Sequence, residues 1–301
     1  MEELKHDFAM EKRLKELDSE LHRRFTDAVF ALQFNLSNYK LIFPEFTDHT
    51  MLHSLTVIDF CNQLIGKRIG KLNKDEIYVL LMGCYFHDTG MGISKKDFDR
   101  FSEGIDFGTY FETHSLDNHP RIIRDFHHEF SGRFIRKYAQ LFEIPSEEHL
   151  FAITQVARGH RRTDLFDDKE YPALFRVPDG NTICLPYLAS LLRLADEIDV
   201  AASRNPKLLY DLESFTNERD IFFGKMNKVV RSLDITQDSF ILRLDASEIT
   251  DTGSYSASDL RESLMRMVEK MQSTLDYCRK VVSTRTPYEI TQKKVLIEEE
   301  A

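Results

Sequence analysis

Residues 77–88, IYVLLMGCYFHD, constrain the fold more than any other stretch of the chain. Wound as a helix they are apolar on nearly every side, so the segment must be buried with other helices packed around it. Asn73 is a suitable N-cap, and Asp75 and Glu76 stand where a first turn favours acidic groups. Gly90 and Gly92 end the helix. Its last two residues are ionisable, His87 and Asp88. Burying an imidazole and a carboxylate is costly unless something offsets the lost hydration, and a divalent cation does so. Adjacent helical residues diverge by roughly 100°, so the two can meet one ion only where the helix ends.

Further helices are expected on both sides of this rod. Leu14, Leu17, Leu21, Phe25, Val29, Leu32 and Leu36 recur at steps of three and four and predict one helix over 8–37. Pro44 interrupts, and a second helix is expected over about 49–65. Residues 94–118 lack periodicity and read as an irregular excursion. Helical spacing returns over 119–141, 146–158 and 186–202, with a long loop rich in Asp and Pro before the last; such loops often cover a functional site. KVVRSLDITQDSFILRLDA alternates about Gln237-Asp238 as a β-hairpin does. A long helix follows, with Ser256 or Ser258 as its N-cap, and the acidic tail is expected to fray. The expected organisation is an N-terminal helix over 1–40, a helical core over 41–205 and a small α+β appendage over 206–301.

With 42% hydrophobic and 30% charged residues, the chain has the material for a sizeable core. Its net charge of −10 argues against an extensive nucleic-acid surface, which needs a basic face. A small anionic substrate is still compatible, because bound cations reverse the local field. The four cysteines are widely spaced and form no C-x-x-C pair, so no disulfide framework is expected. No apolar run is long enough to span a bilayer and residues 1–24 are heavily charged, so no membrane partner and a cytoplasmic location are expected.

A lone His-Asp pair has a bland explanation, a hydrogen-bonded core contact. Here it has company. His53 sits between apolar neighbours in TMLHSLTVIDF, and Asp196 interrupts the apolar string LASLLRLADEID. His127, His128 and His160 lie on the helices between. His49 shares a helix face with His53 and is expected beside the ligands rather than among them. His6, His22 and His149 stand among charged residues and are expected at the surface.

The order H, HD, D resembles the HD superfamily of metal-dependent phosphohydrolases over roughly residues 40–205. H-S-x-x-V at His53, HDTGMG at His87-Asp88 and LADEID at Asp196 carry the likeness. The resemblance implies a mostly α fold, an HD-domain helical bundle. It implies that His53, His87, Asp88 and Asp196 bind one metal and that Asp88 can bridge to a second. RDFHHEFSGRFI is similar to the H-P-E-x-G helix of the dinuclear branch, and RGHRRTD falls where that branch supplies another histidine. His127 and His160 would hold the second ion, with His128 the alternative to His127. The chain lacks the G-Y-P signature after His160 and the lysine after the doublet. With HDTGMG, R-x-x-H-x-E-x-S and LRLADEID it looks closer to stand-alone or ATPase-associated HD proteins, which leaves its substrate open.

The implied activity is hydrolysis of a phosphate ester, of a nucleotide by preference; the alternative is a sensory or regulatory module that binds a nucleotide without turnover. Nitrogen and oxygen ligands suit one or two divalent ions of manganese, iron, zinc, nickel or cobalt. Such ions turn water into a hydroxide nucleophile near neutral pH. Asp88 would orient it, and Arg161, Arg124 and Lys95 are candidates to meet developing negative charge. Lys96, Arg158, His128 and Glu129 are candidates for substrate contact. The appendage is expected to pair with a second copy, dock an ATPase or shape the entrance.

Overall fold

The protein is described here by a computed structural model covering residues 8–37, 51–115, 119–200, 222, 225–226, 228–251 and 254–300. It is mostly α-helical and divides into two compact units, Met1–Pro44 with His49–Leu192, and Glu45–Asp48 with Arg193–Ala301.

The first unit is built around α4 (Lys74–Phe86), in which every residue from Asp75 onward is buried. Asn73 accepts the backbone N–H groups of Asp75 and Glu76, while the Glu76 carboxylate accepts the Asn73 N–H in return, a reciprocal cap. The other Glu76 oxygen accepts the Cys184 N–H at 3.2 Å. Among the described residues, α1 (Ala9–Leu17), α2 (Ser19–Ser37), α3 (Met51–Ile65) and α8 (Glu147–Arg158) pack on this rod. Gly83 lets α8 come close, since a Cβ there would lie 2.8 Å from Val156 Cγ1.

Three expectations change in this unit. The single helix over 8–37 is two, because Asp18 turns extended (φ −158°, ψ 101°) and its carboxylate accepts the N–H groups of Glu20 and Leu21 at 3.1 and 3.0 Å. Capping preference overrides the continuous apolar stripe at that residue. His149 is buried, not at the surface. Its Nε2 meets Asp75 Oδ1 at 2.9 Å and its Nδ1 lies 2.9 Å from Ser146 Oγ, so the charged starts of α4 and α8 are packed against each other.

After α4 a short 3-10 turn, Thr89–Gly92, leads to α5 (Lys95–Ser102) and α6 (Tyr110–Thr113), so the stretch expected to be irregular carries two short helices. Next comes α7 (His119–Tyr138), which packs on the 3-10 turn and on α8. The loop before α9 (Leu185–Glu197) contains a two-stranded antiparallel ribbon, β1 (Phe175–Arg176) with β2 (Thr182–Ile183).

In the second unit β3 (Val230–Ile235) and β4 (Ser239–Asp245) form the expected hairpin, with Ile235 opposite Phe240. The long helix α10 (Ala257–Arg285) is capped by Ser256 and returns the chain to β5 (Lys294–Glu300), which pairs with β4 in parallel. The acidic tail is therefore an edge strand rather than a frayed end. Glu298 and Glu300 pair with Arg243, and Glu299 with Arg261. Leu264, Met271 and Leu275 of α10 are buried within the chain.

Candidate metal centre

His87 closes α4 and Asp88 opens the 3-10 turn, with φ −103° and ψ 5° in the sparsely allowed region between helix and strand. That change of direction aims two adjacent side chains into one space. The turn is pressed directly on α7: a Cβ on Gly90 would lie 2.2 Å from the His127 carbonyl oxygen and 2.6 Å from Ser131 N. Only glycine fits there. Ser131 fastens the contact, accepting the Gly90 N–H at 2.8 Å and donating to the His87 carbonyl at 2.6 Å.

The result is two trios of side chains that share Asp88, both within the first unit. Asp88 Oδ2 lies 3.5 Å from His53 Nε2 and 3.4 Å from His87 Nε2. Its other oxygen, Oδ1, lies 3.2 Å from His127 Nε2 and 3.8 Å from His160 Nε2. Within each trio the imidazole nitrogens also face one another, at 3.1 Å for His53 and His87 and 2.8 Å for His127 and His160. All five residues are at most 3% exposed.

Three of these rings are held the same way. Nδ1 of His87 reaches the Cys84 carbonyl at 2.8 Å, that of His127 the Arg124 carbonyl at 2.7 Å, and that of His160 the Ala157 carbonyl at 2.6 Å. A carbonyl only accepts, so each Nδ1 carries the proton and each Nε2 presents a lone pair when the ring is neutral. Two lone pairs facing at 2.8 Å repel unless a proton or a metal ion lies between them, and a divalent ion fits the donor set. Ligand distances of about 2.0–2.1 Å put neighbouring donor nitrogens roughly 3 Å apart, and ring nitrogens turned back to a carbonyl are the usual support of a metal-binding imidazole. The trios His53, His87, Asp88 and Asp88, His127, His160 can each hold a metal ion.

Asp196 lies in the last turn of α9, half-buried. His128, beside His127, is buried but faces elsewhere: its Nδ1 has no hydrogen-bond partner, and its ring stacks on Phe126 with 15° between the planes. Burial, followed by the charges of His127 and Arg161, pushes its pKa down to about 2, so it stays neutral. Glu129 and Arg158 are paired with each other, at 2.7 Å in the closest contact. Arg124 is exposed one turn before His127, and Arg161 is half-buried next to His160. Lys96 is exposed on α5; the Lys95 side chain and His49 lie outside the described residues. Motif reading gave no role to Ser131, although it closes the string R-x-x-H-x-E-x-S, and none to the three backing carbonyls, each three residues before its histidine.

Among the described residues no helix is long and apolar enough to cross a membrane. The model of one protein family, HD-CE, matches residues 43–278, well over half of the chain and both units. No curated protein matches the chain.

Proposed function

The chain belongs to the HD-CE family, and from that premise we propose that it is a divalent-metal-dependent phosphohydrolase acting on a phosphate ester, with a nucleotide as the preferred substrate. One observation carries this reading: the two carboxylate oxygens of Asp88 face two separate pairs of histidine nitrogens. His53, His87 and Asp88 would hold one ion, and Asp88, His127 and His160 a second. Nitrogen and oxygen donors without thiolate suit manganese, iron, zinc, nickel or cobalt. When bound, such ions supply Lewis acidity that activates water and polarises a phosphoryl oxygen.

The chain's own residues supply the rest. The backing carbonyls place the proton of each neutral ring on Nδ1 and aim Nε2 at the site, so the ligands need no rearrangement. Asp88, shared between the two trios, would orient the attacking water. Arg161 and Arg124, each within a turn of a ligand, are placed in sequence to meet the charge that develops on the phosphoryl group, and Lys95 and Lys96 open the neighbouring helix. His128, neutral and with a free ring nitrogen, can offer or accept one hydrogen bond.

Metal analysis of the purified protein, followed by turnover of a nucleotide panel with manganese, tests the proposal. Bound metal with turnover that disappears in Asp88→Ala is the expected result. Metal binding without turnover of any member would favour the regulatory reading, and absence of stoichiometric metal after reconstitution would remove both.

A further inference from the structure

Arg158 ends α8 two residues before His160, and Glu129 lies on α7 two residues after His127. At 100° per residue Glu129 leaves α7 roughly 200° around from that ligand, on another face of the helix. The two side chains form a close pair. Glu129 Oε1 accepts from Nη2 at 2.7 Å, and the two carboxylate oxygens lie 3.2 and 3.1 Å from Nε. The remaining nitrogen, Nη1, donates to Gln155 Oε1 at 2.8 Å and lies 3.5 Å from Glu170 Oε2. Gly132 gives the arginine stem its path across α7, since a Cβ there would sit 2.9 Å from Arg158 Cδ and 3.1 Å from Cγ. Every nitrogen of this guanidinium therefore has an acceptor within the chain. Such a group has little left to offer a substrate, and its rigid fork instead fixes how α7 meets the last turn of α8.

That meeting sets the spacing of one trio. His127 comes from α7 and His160 from the turn just after α8, and their Nε2 atoms stand 2.8 Å apart. Each ring is oriented within its own element, by the Arg124 or Ala157 carbonyl three residues earlier. Those bonds aim the rings but do not hold one helix to the other, whereas the Arg158–Glu129 pair spans both. Metal–ligand distances tolerate only about 0.2 Å, so a helix shift far too small to unfold the chain spoils the pair of donors. His53 on α3 and His87 at the end of α4 belong to neither helix of this brace.

We infer that Arg158 and Glu129 are positioning residues for the second ion alone, holding His127 and His160 at the separation one divalent cation needs. The inference rests on the two-ion reading of the Asp88 cluster and adds to it the contact that sets the geometry of the second trio.

Calorimetric titration of metal-free protein with manganese(II) tests it. The parent should take up two ions. Arg158→Gln and, separately, Glu129→Gln should weaken one of them by about 10–100-fold and leave the other unchanged. The double variant should be no weaker than either single one, because each change alone breaks the same pair. Arg158→Lys keeps the charge and the stem but loses the fork, so it should lie between the parent and Arg158→Gln, and it serves if Arg158→Gln fails to fold. The weakening should persist when Arg158→Gln is placed on His53→Gln, which keeps the second trio. It should vanish on His127→Gln, which keeps only the first. Equal weakening of both ions would make the pair a general support of the fold and overturn the inference, as would two ions held as tightly by the variants as by the parent. Selective weakening without turnover of any nucleotide would keep the inference and remove the phosphohydrolase reading; a parent that binds no metal removes both.

Discussion

Ser131 Oγ donates to the His87 carbonyl at 2.6 Å and accepts the Gly90 N–H at 2.8 Å, so one hydroxyl ties the last residue of α4 and the turn after it to α7. All three partners are buried. Ser131→Ala leaves a donor and an acceptor without partners in the dry interior, a cost of about 1–3 kcal/mol. Urea unfolding should show that loss. Because the bond positions ligands without touching metal, metal affinity should also fall, by about 10–100-fold. An unchanged metal titration would separate the hydroxyl from the site.

Gly90→Ala is expected to be more damaging. The added methyl would overlap main-chain atoms of α7, which cannot rotate aside as a side chain would. A destabilisation above about 3 kcal/mol is expected, because the helix itself must move. The urea midpoint compared with Gly70→Ala, where an added methyl meets nothing within 4 Å, measures it; equal midpoints would mean the turn can yield.

Metal content distinguishes the paired histidines of α7. His127 Nε2 is 3.2 Å from Asp88, whereas the His128 ring lies against Phe126. Elemental analysis should find two ions per chain in the parent, one in His127→Gln, two in His128→Gln and neither retained in Asp88→Asn. Loss of metal from His128→Gln but not from His127→Gln would reverse the assignment.

Acid should erase one contribution to stability in a defined order. Burial works to raise the Asp18 pKa, but the Leu21 N–H and Lys74 outweigh it and hold the carboxyl below its ordinary 3.8. A depressed carboxyl contributes stability that is complete above its unfolded value and is lost as pH falls through the folded one. Asp18→Ala should therefore cost about 1 kcal/mol at pH 7, chiefly through the lost cap on α2. That gap should narrow once the pH drops below about 3.8, and Asp18→Asn, which keeps an acceptor but not the charge, should lie between. A gap that does not narrow at all in acid would assign the effect to the retained acceptor or to packing rather than to the charge.

Periodicity and capping residues made much of the fold legible: the buried rod after Asn73 and the hairpin about Gln237-Asp238 follow from local chemistry, while the choice of Ser256 over Ser258 as the cap of α10 came from the structure. What was illegible depended on distant partners. Nothing near His149 announces that Asp75 waits 74 residues earlier to receive its ring. The final strand carries three consecutive glutamates, poor strand formers, and is held by arginines on β4 and α10 whose position only the fold supplies. Asp18 is the reverse case, a local cap strong enough to break a stripe that periodicity reads as continuous. At the candidate site the doublet and His53 stood out as polar residues in apolar strings. Ser131 did not, because a serine four residues from a histidine is ordinary until a glycine elsewhere needs its hydroxyl.

The seam between Gly90 and α7 has a further consequence. Where two elements meet through side chains, compensating changes in volume let their separation drift over generations. Here the main chain of Gly90 lies directly on the main chain of α7, and the contact has no room for a larger residue. The offset between the His87-Asp88 corner and the His127 turn is thus set by backbone contact, so a volume change elsewhere in the core shifts the two together rather than apart.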